Sequence, residues 1–595
     1  MNRLSAIFVT GLIFLNLSSS VLSKELRWKI KHVHFSGNKS YKEERLHRLM
    51  VCRPSSFLNR RNYHPQILND DLKNIELFYH QNGYLDAKIK NYIAVYDTGN
   101  ASVQIRILLD EGKQTMIESV SILGNTSFPD SLLQQVLELK FPSIFSRKKI
   151  ESSSLKILTF YANHGYLDTK IDHKTHIDTT RYQAVIDYIL DEGNVSSIQN
   201  IEIIGLEKTR RFIVYRELSF KVNEIVKYEK LLDSQKKLYL TGLFTSVYIH
   251  PIPIDSNEFG NCSILIELKE KESIVLNLSG GYGSLDKLRC RVEILNQNLR
   301  GQSQRLGCAG HLSSIKRSIE SAFTEPWTFG TRWQTDVRLR AEHRKEPSYN
   351  LNQYGGFLTF GYRFKSKLQF MIMYRRDFSS LSDVKTSEFP EDPETNLNSI
   401  KFTILNDSRN NLFNPSRGVY LEWSHELGHL FSTSSRNYYR TVFVGKGFYS
   451  FHPSTIIGSG IEIGWITTSG GLPRIPLHER FFTGGPNSIR GFRYQRLGPK
   501  DLNGNPYGGQ FKISMNLIEI RRTIHRSFGV AVFIDGGNVW GKTENFRFSE
   551  ILMSPGAGIR MNTVIGTARF DVAFNPFAKN NEPKSLYMFN MGHAF

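Results

Sequence analysis

Two rhythms of apolar and polar residues divide the chain near residue 272. Before it, stretches that alternate every second residue are interleaved with stretches whose apolar positions recur every three or four, the spacings of strands and of amphipathic helices. Ile30–Phe35 reads as a strand; residues 68–82 read as a helix with Leu72, Ile75, Leu77, Phe78 and Tyr79 on its apolar face. From Glu272 onward helical spacing gives way to alternation. Its clearest case is Thr455–Ile466, with Ile457, Ile461, Ile463 and Trp465 on one face and Gly458, Gly460, Glu462 and Gly464 on the other. An apolar face opposite a small or charged face suits a strand with lipid outside and a polar lumen inside. At about twenty residues per strand and connection, the chain from Glu272 to Phe595 accommodates roughly sixteen strands.

The first half repeats itself. His34-Phe35-Ser36-Gly37-Asn38 recurs as Ser121-Ile122-Leu123-Gly124-Asn125 and, more faintly, as Glu202-Ile203-Ile204-Gly205. Phe78–Asp86 recurs as Phe160–Asp168, with a weaker copy at Tyr239–Phe244, and Leu108-Leu109-Asp110-Glu111-Gly112 recurs as Ile189-Leu190-Asp191-Glu192-Gly193. Each unit reads strand, helix, helix, strand, strand, with Gly83 and Gly165 where a helix C-terminus favours a left-handed residue. The acidic pairs Asp110-Glu111 and Asp191-Glu192 recur without His or metal-binding neighbours, so a solvated turn is expected there rather than catalysis. This βααββ module resembles the polypeptide-transport-associated (POTRA) domain in three copies, at residues 24–112, 113–195 and 196–271. The resemblance implies exposed strand edges able to accept an extended client strand.

Composition narrows the class. The chain has 595 residues, a formal net charge of +20 and a mean hydropathy of −0.33. No uncharged apolar run after the N-terminus reaches the roughly 18–20 residues of a spanning helix. Arg3, the apolar run Ile7–Leu17 and the small residues before Lys24 read as a secretory signal peptide over residues 1–23. For an exported chain, phosphorylated lipid headgroups rather than nucleic acid are the expected anionic partner. Four scattered cysteines, Cys52, Cys262, Cys290 and Cys308, suit neither a disulfide scaffold nor a zinc site. Cys290 and Cys308 flank a turn and could face one another, but two small packing residues are the preferred reading.

Further motifs bring a family into view. Asn296–Gln302, Thr324-Glu325-Pro326-Trp327, Asp407-Ser408-Arg409, Asn414–Gly418, Phe481–Phe492 and Asp535–Trp540 together resemble the outer-membrane protein assembly factors of the BamA/TamA type. Three repeats resemble the TamA branch and argue against the two-repeat secretion transporters. The resemblance implies α+β POTRA repeats followed by an all-β transmembrane barrel of about sixteen antiparallel strands (residues 272–595). It also implies a lumenal loop whose Arg490-Gly491-Phe492 motif meets an acidic barrel wall. Arg490 would pair with Asp535, which shares a strand face with Ala531 and Phe533. Glu519 resembles the second acidic wall residue, yet simple alternation puts it in phase with Phe511, Ile513, Met515 and Leu517, on an apolar face unless a bulge intervenes. The aromatic strand Tyr587–Phe595 resembles a C-terminal signal strand.

The barrel's closure is a second candidate. The first strand, about Ser273–Gly283, carries Gly280 and Gly281; the last carries Gly592 and ends at Phe595. Glycine weakens strand pairing, so this seam is expected to open sideways and template a client strand, with Leu276 facing a residue near Asn590. The function so implied is non-enzymatic insertion of unfolded outer-membrane clients. Expected partners are those clients, inner-membrane or periplasmic accessory proteins and outer-membrane lipid, with no cofactor and no nucleic acid. A transporter secreting a partner protein is the alternative of like architecture. A zinc protease is the alternative of another class, because His425-Glu426-Leu427-Gly428-His429 matches H-E-x-x-H. That motif needs a helix; on the strand expected here its histidines stand about 13 Å apart. Asp501-Leu502-Asn503-Gly504-Asn505 imitates the start of a calcium loop, but Lys512 stands where the loop needs Glu.

Overall fold

The computed structural model describes residues 28–54, 62–137, 141–254, 260–364, 367–389, 391–412, 414–429, 437–525, 527–563, 566–579 and 582–591. The signal-peptide reading, Gly592 and Phe595 lie outside the described residues. The chain divides into two compact units, one holding the first two repeats and the other the barrel, with the third repeat divided between them.

The first repeat runs Lys29–Ser36, helices Glu43–Leu49 and Pro65–Gln81, then strands Lys88–Asp97 and Ser102–Asp110. Its last strand lies in the middle of the sheet, parallel to the first and antiparallel to the second. Burying Ile30, Val33 and Phe35 against Ile75, Tyr79, Ile105 and Ile107 makes the core. Leu77, expected on the buried helix face, is instead 53% exposed. The second repeat adds a two-residue strand, Ser143–Ile144, between its helices, so its sheet has four strands rather than three. The third is Ser197–Ile204, helices Arg211–Glu217 and Tyr228–Leu240, and strands Phe244–Pro253 and Asn261–Glu270.

The repeated glycine and glutamate are one device. Gly37, Gly124 and Gly205 have φ of +91°, +87° and +84°, and a Cβ on any of them would overlap the carbonyl oxygen of Leu109, Leu190 or Leu268. Glycine is therefore required both for the left-handed backbone and for the close approach. The turn beyond it is held by a glutamate at the end of the last strand or one residue past it. Glu111 accepts hydrogen bonds from Ser40 N–H and Oγ and from the Tyr79 hydroxyl. Glu192 accepts them from Thr126, Ser127 and the Tyr161 hydroxyl. Glu270 accepts them from the N–H groups of Glu207, Lys208 and Thr209. The solvated turn expected for the acidic pairs is thus half right: Asp191 is exposed and Asp110 half-buried, but Glu111 and Glu192 are buried. Burial pushes the Glu192 carboxyl up, yet hydrogen bonds from Thr126, Ser127 and Tyr161 outweigh it and hold the group down to about 2.

The barrel closes with sixteen antiparallel strands, each paired to its sequence neighbour, from Ile274–Gly283 to Ser585–Met591. On Phe528–Trp540, Val530, Val532 and Ile534 are exposed while Ala531, Phe533 and Asp535 are buried, the alternation of a lipid-facing wall. Among the described residues no helix is long and apolar enough to cross a membrane. Cys290 and Cys308 are free and exposed; Cys290 stands opposite Leu312 and Cys308 opposite Ile294, so they do not face one another.

Candidate functional site

The connection between strands Thr455–Thr468 and Phe511–His525 carries the Phe481–Phe492 motif. Its apolar residues Leu472, Ile475 and Phe481 pack against Leu397, Tyr438, Ile466 and Val539 of the wall. An inward Ile466, on the face expected to be small or charged, is explained by this packing. The loop is a filled insertion, and two of its ion-pair clusters, of opposite polarity, tie it to the barrel strands.

At the first, the loop supplies the cation. Arg490 donates from Nε and Nη2 to Asp535 Oδ2 and Oδ1 at 2.7 and 2.8 Å, from its backbone N–H to Oδ2 at 3.1 Å, and from Nη1 to Glu519 Oε2 at 2.8 Å. Its guanidinium also lies 3.2 Å from the Phe533 ring centroid. The planar fork satisfies both carboxylate oxygens of Asp535 at once, which a lysine could not do. Asp535 is fully buried, Arg490 is 6% exposed, and Asn516 donates to the same carboxylate at 2.6 Å. A Cβ on Gly491 would overlap Ser554 Oγ and lie 2.6 Å from the Phe574 carbonyl oxygen, so only glycine passes here. Phe492 is buried with Ile489 and Leu497.

Glu519 reaches this site through a bulge. The strand Phe511–His525 carries one more residue at Leu517 than either neighbour: Asn516 and Ile518 face the consecutive Asp535 and Ile534, and the register also shifts against Gly458 and Gly460. Leu517 stays outward and 47% exposed, and the alternation restarts with Glu519 on the lumenal face. Simple alternation fails at this one residue. Sequence reasoning missed Asp571, whose Oδ2 lies 3.8 Å from Arg490 Nη1 and whose Oδ1 accepts from Arg560 Nη1 at 2.6 Å. Its signal was an acid alternating with apolar residues in Arg569-Phe570-Asp571-Val572.

At the second place, also missed, the loop supplies the anion. Glu479 pairs with Arg375 and, at 3.0 Å, with Arg440 of the wall. Arg375 also reaches Asp377 at 2.8 Å and Glu426 at 3.3 Å, and Glu426 accepts from Ser399 Oγ at 2.7 Å. The glutamate of the protease-like motif is therefore a wall residue of this cluster. His425 points to the other face, where its ring is hydrogen-bonded to the Thr441 hydroxyl at 2.7 Å; His429 lies past the strand end with φ of +58°. Asp501 spends its carboxylate on the N–H groups of Ser387, Asn503 and Asn505, a turn rather than a cation site.

At the seam, Tyr282 faces Met591 and Gly283 faces Asn590, the residue pairs that join the first and last strands among the described residues. The first strand pairs with the second over its whole length, from Ile274 opposite Asn296 to Gly283 opposite Lys287. Asn590 therefore faces Gly283 rather than Leu276, which corrects the expected pair; Leu276 is paired with Ile294 of the second strand. Gly280 faces Cys290, whereas Gly281 lies directly beneath the last strand.

Repeats of βααββ form leading into a closed barrel with a loop ion-paired inside it define a POTRA-bearing, membrane-spanning β-barrel protein. The Omp85 superfamily domain matches residues 298–595, and the POTRA family described as surface antigen variable number repeat matches residues 28–112 and 115–193. The chain belongs to the Omp85 superfamily. It is 24% identical to the outer membrane protein assembly factor BamA of Neorickettsia risticii, over 94% of this chain and 77% of that one. With BamA of Neisseria meningitidis serogroup B it shares 23% identity over 95% and 78%. BamA from Haemophilus ducreyi lacking POTRA domains 1–3 has the same fold, with a TM-score of 0.69 at 19% identity over 81% of this chain and all of that one. These likenesses place the chain in the superfamily and do not separate a TamA-like from a BamA-like branch.

Proposed function

We propose that the protein is an outer-membrane protein assembly factor, its POTRA repeats in the periplasm, that inserts client β-barrel proteins at the seam between its first and last strands. The observation that carries this reading is that, among the described residues, the seam is short beside ladders such as those joining Asn350–Phe364 to its two neighbouring strands. A sheet edge offers unpaired N–H and C=O groups, and an extended client strand can satisfy them one for one. Nothing in such templating requires a chemical step, and the protease-like residues are spent on strand pairing and on anchoring the loop. Unfolded barrel clients, accessory proteins docking on the repeats and membrane lipid are the partners this reading implies. Depletion of the protein followed by quantitative analysis of the outer membrane tests it. Client barrels should vanish together; unchanged levels of all barrel proteins would refute it.

A further inference from the structure

Among the described residues, side chains reach beyond the two ladder pairs of the seam. Ser284, one residue past the first strand, makes a reciprocal rung with the last strand. Its N–H donates to the Phe589 carbonyl at 2.8 Å, and Phe589 N–H donates to the Ser284 hydroxyl oxygen at 2.8 Å. A hydroxyl stands where an antiparallel ladder would use a carbonyl. Arg289, on the second strand, reaches farther. It donates from Nη1 to Asp286 Oδ2 at 3.1 Å and from Nη2 to the Met591 carbonyl at 3.4 Å, so it crosses the first strand to reach the last. The crossing needs Gly281, where a Cβ would lie 2.8 Å from Arg289 Nε and overlap the Met591 carbonyl oxygen. The seam glycine therefore does more than weaken a strand: it is the notch in which an arginine lies.

We propose that Ser284 and Arg289 form a clasp that sets how readily the seam parts, with Gly281 as the seat of the arginine. This inference rests on the seam being the route of client insertion. Both contacts end on backbone atoms at a strand edge, so an incoming extended strand can take them over without leaving a donor unpaired. Asp286 keeps a charged partner beside Arg289 when Met591 departs, so release does not strand a guanidinium. Ser284 and Arg289 are positioning residues: they hold the edge and touch no reacting group.

The test uses the full chain in lipid bilayers, with Cys290 and Cys308 replaced by Ser. Single-channel recording counts seam openings, and client insertion into vesicles is timed in parallel. S284A and R289Q should each raise the opening frequency about fivefold, equivalent to the loss of about 1 kcal/mol. S284T, which keeps the hydroxyl, should restore the original frequency, and G281A should reproduce R289Q by displacing the arginine. Unchanged openings in both S284A and R289Q, in barrels that retain folded mobility on unheated gels, would overturn the clasp. Oxidising a Tyr282→Cys/Met591→Cys pair separates the two ideas. Normal insertion through the locked seam refutes the insertion route itself. Blocked insertion with unaltered S284A and R289Q openings refutes the clasp alone.

Discussion

Arg490 spends four hydrogen bonds on two acidic side chains, the fully buried Asp535 and the largely buried Glu519. Removing one partner of such a buried pair costs about 3–5 kcal/mol, because the remaining charges stay buried and uncompensated. Arg490→Ala should therefore release the loop and lower client assembly several-fold with the barrel still inserted, as read by immunoblot and heat-modifiable mobility. Full assembly by this variant would refute the role. Arg490→Lys keeps the charge but not the fork, and should fall between the two. Glu426 separates the competing chemistries. Glu426→Gln keeps an acceptor for Ser399 and loses the charge opposite Arg375, so it should lower thermal stability slightly and leave purified protein without bound zinc, as measured by metal analysis. Stoichiometric zinc lost on this substitution would revive the protease.

Two elements turn on single residues. Deleting Leu517 removes the bulge while leaving Asn516 opposite Asp535, Ile518 opposite Ile534 and Glu519 opposite Phe533, so Glu519 stays on the lumenal face. Glu519→Gln keeps the phase but removes the charge facing Arg490, so its loss should exceed that of the deletion; assembly assays on the two variants side by side decide it. In the second repeat, Glu192 ties the end of one strand to the turn after another. Glu192→Ala leaves several donors unpaired, at a cost of about 1–3 kcal/mol, and hydrogen exchange in strands Met116–Leu123 and Gln183–Asp191 should accelerate accordingly. The sign of the pH effect follows from the folded value near 2 against about 4.3 in an unfolded chain. The stabilisation is complete above the unfolded value and is lost as pH falls through that window. Protection of these strands should decline between about pH 4.5 and pH 2, and Glu192→Gln should flatten the decline; an unchanged pH profile in that variant would contradict the tie.

At the scale of the molecule, the sequence by itself determined the order of parts. Alternation every second residue, βααββ periodicity and repeated glycine turns are local signals, so three repeats and a barrel of about sixteen strands were legible, whereas Arg490 with Asp535 came from the family resemblance of its motif. Tertiary structure decided what depends on where strands meet. The adjacent apolar pair Leu517-Ile518 marks a change of phase in its own strand, but that the strand bulges there, with Glu519 turned inward, is decided by the register of its two neighbours. The partnership of Glu479 with Arg375 and Arg440 joins residues far apart in sequence, and nothing local pairs them. Leu276 was given the wrong neighbour because register at the closure is set by how far the last strand slides along the first, a quantity fixed only when the barrel shuts. Glu111 and Glu192 looked solvated for the same reason: the turns that bury them arrive from the other end of the unit.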